Sequence, residues 1–116
     1  VGRVAWLDNE ELMNAVTAIS GSGPAYVFLM IEALSKAGVE MGLSLDLAEE
    51  LALTTVAGSG ALAASSDMSP AELRRLVTSP GGTTEAALGV LMKNENFDTL
   101  LKKAVSAATK RGRDLA

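Results

Sequence analysis

The chain has 116 residues, of which 48% are hydrophobic and 3% aromatic, and its formal net charge is −4; this composition suits one domain with an aliphatic core. It contains no cysteine and no histidine, which excludes disulfides, thiolate metal ligands and a histidine general base, so we expect no metal site. The acidic balance argues against a nucleic-acid partner, and neither a secretory signal nor a membrane-spanning apolar run is recognised, so we expect a soluble, cytoplasmic protein without membrane contact. The sequence opens without an initiating methionine, and we therefore expect a domain of a longer chain.

The first predicted helix starts near Asp8, because Asp8 and Glu11 have the spacing of a capping box and apolar residues then recur at helical intervals. It is expected to end near Ser20, since glycines at positions 21 and 23 are poor helix formers.

The second predicted helix covers residues 25–41, with Ser22 as its cap and Pro24 in its first turn. Residues 25–33 are apolar almost all round, and a helix without a polar face must be buried on several sides. We expect this helix to lie at the centre of the domain or in a subunit interface, with the hydroxyl of Tyr26 hydrogen-bonded.

Four further helices follow. The clearest signal is a capping box in which Ser69 is the N-cap, Pro70 takes the first position and Glu72 completes the box. Ser44 opens the preceding helix, and Asn96 is the predicted cap of the last helix. These helices are expected over residues 45–64, 70 to before 80, 83–93 and 97–113. No alternating strand pattern is found, and the predicted fold class is all-α with about six helices.

Two glycine-rich stretches imitate a nucleotide-binding turn, at residues 21–26 and 58–63. Such a turn needs a buried strand before it and an acidic residue about twenty positions later. Both stretches lie in or beside predicted helices, so small residues that allow close helix packing are the better interpretation.

The segment "TSPGGTT", residues 78–84, interrupts the helical pattern with hydroxyl side chains, a proline and two glycines. Its glycines allow positive φ or close approach of a ligand to the backbone. The helix that follows offers free amide hydrogens and the positive end of its dipole, which suit an anion. The segment contains no lysine or arginine, so a carboxylate fits better than a triphosphate; a simple capped turn remains the alternative.

Read with its flanks, the sequence resembles the C-terminal half of pyrroline-5-carboxylate reductases. The resemblance rests on "SGSGPAYVF" at residues 20–28, "SPAELRRLVTSPGGTT" at residues 69–84, "AGVEMGLS" and "ENFDTLLKKAV". It implies an all-helical dimerisation domain, like the C-terminal domain of 6-phosphogluconate-dehydrogenase-type reductases, that spans residues 1–116. The nucleotide-binding Rossmann domain would lie N-terminal to it, outside this chain.

The resemblance further implies reduction of L-1-pyrroline-5-carboxylate to L-proline with NADPH or NADH, the last step of proline biosynthesis. The chain would form a homodimer or a higher oligomer, would bind little of the cofactor itself and would be inactive alone. The substrate carboxylate would be held by Ser79, Gly82, Thr83 and Thr84, and Thr84 is the candidate catalytic residue. Many family members have alanine where this chain has Thr83.

Two more positions carry over from the family. Val77 matches a position near the nicotinamide, and Glu10 matches an acidic position near the ligands. Two alternatives stay open: a non-catalytic helical oligomerisation module, and the helical domain of a related hydroxy-acid dehydrogenase. The second commonly uses a lysine on a central helix, where this chain offers only Lys36, near the end of its second helix.

Overall fold

The computed structural model describes residues 10–116 and the side chains from residue 12 onward. Over this range the backbone is helical with no strand, and the predicted all-α class is confirmed. The elements are α1 (Glu10–Ser20), α2 (Gly23–Glu40), α3 (Leu45–Ser65), α4 (Pro70–Leu76), α5 (Thr83–Leu91), a short 3-10 helix (Lys93–Glu95) and α6 (Asn96–Leu115). The predicted capping residue Asp8 lies outside the described residues.

Two helix starts follow the sequence signals directly. The Ser44 side chain accepts a hydrogen bond from the Leu47 amide at 3.3 Å and caps α3. At α4, the Glu72 amide donates to the Ser69 hydroxyl and the Ser69 amide donates to the Glu72 carboxylate, both at 3.2 Å. This capping box lowers the pKa of Glu72, chiefly through the hydrogen bond from the Ser69 backbone amide and secondarily through the Ser69 side chain.

The start of α6 differs from the prediction. Asn96 is already helical, with φ −60° and ψ −40°, and Glu95 is the N-cap without a side-chain hydrogen bond. Both Asn94 and Glu95 have positive φ, at 54° and 56°. This pair of left-handed residues forms a turn at the end of the 3-10 helix, and α6 starts after it without a side-chain cap. The same turn ends α5 at Leu91, two residues earlier than predicted.

The chain forms two compact units. In the first, α1 packs against α6. Ala18 is buried there, and its carbonyl accepts the hydrogen bond of the Tyr26 hydroxyl at 2.7 Å, which confirms the prediction that this hydroxyl is satisfied. A Cβ added to Gly112 would lie 3.2 Å from Oδ1 of Asn14, so the glycine permits close contact between the two helices.

The second unit covers residues 27–91 and includes most of α2. Here α2 and α3 meet next to their connecting turn, where a Cβ added to Gly38 would lie 3.2 Å from the Cβ of Ala48. Ser35, Ala48 and Ala52 are its buried residues. With Ala18, these are the only four buried positions among residues 12–116, so small side chains dominate the interior.

Large apolar side chains are exposed instead, most clearly on α2. Phe28 and Leu29 are 64% and 63% exposed. By length and composition alone, Leu12–Glu40 could also cross a membrane. That stretch is two helices, however, because the Gly21 and Ser22 amides both donate to the Thr17 carbonyl and end α1. Exposed apolar surface of this extent marks an association site.

Candidate functional site

The connection between α4 and α5 begins by closing α4 on itself. The Thr78 amide donates to the Arg75 carbonyl at 3.1 Å, and the Thr78 hydroxyl donates to the Arg74 carbonyl. This threonine therefore satisfies the end of α4. Its hydroxyl hydrogen is thus already used and is not offered to an anion.

Residues 79–82 form a tight turn. The Gly82 amide donates to the Ser79 carbonyl at 3.0 Å, Pro80 takes the second position and Gly81 the third, with φ +74°. Proline followed by a residue with positive φ is the pattern of a type II β-turn. Glycine at position 81 is required by this φ, and a Cβ at Gly82 would lie 3.2 Å from the Ser79 carbonyl oxygen.

The turn leads straight into the N-terminus of α5 at Thr83. The first amides of an α-helix have no acceptor within the helix, and they carry the positive end of its dipole. Within residues 10–116, the hydroxyls of Ser79, Thr83 and Thr84 make no hydrogen bond. Thr84 is half-buried, whereas Ser79 and Thr83 are exposed. Free helix amides and hydroxyl groups are hydrogen-bond donors that can together bind a carboxylate.

Five of the six candidate site residues lie within residues 77–84, between the end of α4 and the first turn of α5: Val77, Ser79, Gly82, Thr83 and Thr84. Val77 is the C-cap of α4 and is 66% exposed. Glu10 is the first residue of α1 and belongs to the other compact unit; its side chain lies outside the described ones.

One residue of this stretch was missed at the level of sequence. The Glu85 carboxylate accepts a hydrogen bond from the Gly81 amide at 3.0 Å. The signal was present, because Glu85 stands three residues after Gly82, which is the spacing of a capping box.

A separate groove of about 460 Å³ lies between α2 and α3 in the second unit. Its lining is mostly apolar and includes Lys36, the lysine considered for a hydroxy-acid dehydrogenase. The lining residues are Ile31, Glu32, Ser35, Lys36, Val39, Leu45, Glu49 and Leu53. Lys36 is thus part of an apolar groove and not of the connection between α4 and α5. Among the described side chains, no cluster of acidic residues is suited to a metal ion.

An all-helical domain that exposes apolar helices has the features of an association domain. Comparison with known proteins identifies the family. Residues 10–115 match the family model described as pyrroline-5-carboxylate reductase dimerisation. The chain belongs to this family, and the resemblance drawn from the sequence is confirmed.

Individual relatives agree. The chain is 50% identical over 116 residues to a pyrroline-5-carboxylate reductase of Pseudomonas aeruginosa, covering all of this chain and 42% of that protein. The solved pyrroline-5-carboxylate reductase of Coxiella burnetii is 44% identical with a TM-score of 0.91, over 100% of this chain and 43% of the other. The pyrroline carboxylate reductase of Plasmodium falciparum with NADP bound is 42% identical with a TM-score of 0.85, over 91% and 40% of the two chains. The chain therefore spans about two-fifths of the length of these relatives.

Proposed function

We propose that this chain is the dimerisation and substrate-binding domain of a cytoplasmic NAD(P)H-dependent reductase that converts L-1-pyrroline-5-carboxylate to L-proline, the last step of proline biosynthesis. The observation that carries the proposal is the type II turn at residues 79–82. It joins Ser79 directly to the N-terminus of α5, which carries Thr83 and Thr84, and within residues 10–116 the hydroxyls of these three residues make no hydrogen bond. The names of the relatives supply the substrate class.

In this proposal the substrate carboxylate binds at the N-terminus of α5. The amides following Gly82 and the hydroxyls of Ser79 and Thr83 hold its two oxygens. Because the loop itself contains no cation, the site favours a singly charged anion. Fixing the carboxylate at two points also fixes the orientation of the pyrroline ring, and such positioning can lower a barrier by several kcal/mol, up to about 11 at best.

The half-buried Thr84 is the proposed catalytic residue. Its hydroxyl orients the ring nitrogen, or a water molecule beside it, so that the nitrogen takes up a proton as the carbon of the C=N bond is reduced. NADPH or NADH, when bound, supplies the hydride. The described residues offer no strand and glycine-rich turn for a dinucleotide, so the cofactor would be held mainly by a Rossmann domain outside this sequence, with Val77 as an exposed apolar contact beside the nicotinamide. Glu10 is proposed to lie near the ligands.

A second copy of the chain is the proposed cover for the exposed apolar residues of α2 and for the groove between α2 and α3. The family to which the chain belongs is described by its dimerisation. A two-fold symmetric pair would bury the same faces of both copies, as obligate dimers do. Higher assembly of such dimers is compatible with this arrangement.

Thr84→Ala in the full-length reductase tests the site. We expect kcat/KM for pyrroline-5-carboxylate to fall about tenfold to a hundredfold, the effect of one or two lost hydrogen bonds, while the dimer persists. Thr84→Ser should restore most of the activity. Thr109→Ala is the matched control, because the Thr109 hydroxyl bonds to the Val105 carbonyl in α6. Unchanged turnover in Thr84→Ala would instead favour a non-catalytic oligomerisation module.

A further inference from the structure

The Glu85 side chain turns back from the first turn of α5 to the loop that precedes it. Its Oε1 accepts from the Gly81 amide at 3.0 Å. Gly81 is the residue of positive φ in the turn, at +74°. The Glu85 side chain thus links α5, whose N-terminus offers the proposed substrate donors, to the loop residue with positive φ.

This contact differs from the capping box in the same chain. In α4, the carboxylate of the third helical residue, Glu72, accepts from the N-cap residue itself, Ser69. In α5 the corresponding Gly82 amide already donates to the Ser79 carbonyl at 3.0 Å. The Glu85 carboxylate therefore reaches one residue further back, to Gly81.

Two hydrogen bonds, one donated by the Gly82 amide and one by the Gly81 amide, stabilise the turn. The Ser79–Gly82 bond closes the turn, and the Glu85–Gly81 bond fixes the orientation of the peptide between Pro80 and Gly81. A type II turn differs from the common type I turn chiefly in the orientation of this central peptide. Rotation of that peptide would direct the Pro80 carbonyl oxygen, in place of the Gly81 amide hydrogen, towards Glu85 and the first turn of α5.

We propose that Glu85 is a positioning residue for the substrate-carboxylate site. This rests on the function proposed above. Glu85 acts through Gly81 and touches no reacting atom: its hydrogen bond keeps the Gly81 amide hydrogen, and not the Pro80 carbonyl oxygen, directed towards the first turn of α5, where the substrate carboxylate is proposed to bind.

The negative charge of Glu85 has an opposite effect that must be separated from positioning. A carboxylate in the first turn of α5 repels the carboxylate of a substrate bound at the same helix end. Glutamine keeps an oxygen acceptor for the Gly81 amide and removes the charge, whereas alanine removes both. The pair Glu85→Gln and Glu85→Ala therefore distinguishes the hydrogen bond from the charge.

Steady-state kinetics of the full-length reductase, together with amide hydrogen exchange of the loop peptide, test the proposal. In Glu85→Ala we expect KM for pyrroline-5-carboxylate to rise about fivefold, as for loss of one ordering hydrogen bond, with kcat within about twofold. Exchange at Gly81 should accelerate. Glu85→Gln should stay within about twofold of the parent enzyme in KM and protect Gly81. Asp46→Ala is the matched control, an exposed acidic residue in the first turn of α3, and should change neither readout.

Three results would overturn the proposal. One is an unchanged KM together with unchanged amide exchange at Gly81 in Glu85→Ala, and another is an equal increase of KM in Glu85→Ala and Glu85→Gln. The third is an equal decrease of KM in both variants, which would show that Glu85 acts only by repelling the substrate. Failure of the proposed function looks different. In that case the parent enzyme does not turn over pyrroline-5-carboxylate, or Thr84→Ala keeps the parent kcat/KM. Faster exchange at Gly81 in Glu85→Ala is measurable in either case.

Discussion

Replacing Phe28 by alanine should separate the proposed dimer. Phe28 is 64% exposed in the single chain, and a phenylalanine side chain buries about 200 Å² when fully covered. A partner would thus remove about 130 Å² from water, a contribution of about 3 kcal/mol per copy. Alanine retains about a third of this, which leaves a loss of about 2 kcal/mol. Two-fold symmetry counts the change twice, so Kd should rise about a thousandfold.

Analytical ultracentrifugation of the chain over a dilution series measures this change. The parent chain should remain dimeric at micromolar concentration, whereas Phe28→Ala should dissociate in the same range. Leu115→Ala is the control, because Leu115 is 68% exposed but lies at the end of α6. Identical association of Phe28→Ala and the parent would refute the reasoning, as would a stable parent monomer. Flotation of the parent with lipid vesicles would identify a membrane, and not a second copy, as the cover of α2.

Three further outcomes concern stability, measured by urea unfolding. Ser69→Ala should cost about 1 kcal/mol, since it removes a helix cap; an unchanged midpoint would contradict the role of the box. The Glu72 pKa is lowered in the folded chain, so the stabilisation by the capping box is complete above the ordinary glutamate pKa and is lost as the pH falls through the lowered value. Acidification should therefore destabilise the parent more than Glu72→Gln. Equal pH profiles of stability for the two proteins would exclude this linkage. Gly38→Ala should cost up to about 2 kcal/mol, because its Cβ would lie 3.2 Å from that of Ala48 and this overpacking, about 1–3 kcal/mol, exceeds the gain of about 1 kcal/mol in helix propensity. Gly89→Ala, with nothing of the described chain within 4 Å, should show that gain alone.

Local chemistry explains which parts of the fold were predictable. Ser44 and Ser69 mark helix starts because their side chains accept from amides only three residues away. An interaction of this short range can be recognised from the order of residues alone. The start of α6 was not predictable in this way. It depends on Glu95 at φ 56°, a conformation that glutamate rarely adopts and that no pattern of its neighbours indicates.

The candidate site was likewise predictable only in part. The two glycines after the proline allowed positive φ or close approach of a ligand before α5, and Gly81 adopts positive φ. Which amide Glu85 would bond could not be predicted, because that depends on the Gly82 amide already being used by Ser79. The roles of Thr84, Val77 and Glu10 toward the ligands stay predictions, since they depend on where substrate and cofactor bind.

The small interior has a thermodynamic consequence. Only Ala18, Ser35, Ala48 and Ala52 are buried among residues 12–116, and these side chains contribute little hydrophobic free energy. If association supplies the remainder, unfolding is a bimolecular equilibrium whose midpoint depends on the amount of protein present. Each tenfold dilution would then lower the apparent stability of the dimer by about 1.4 kcal/mol. Such a domain unfolds on dilution as well as in denaturant.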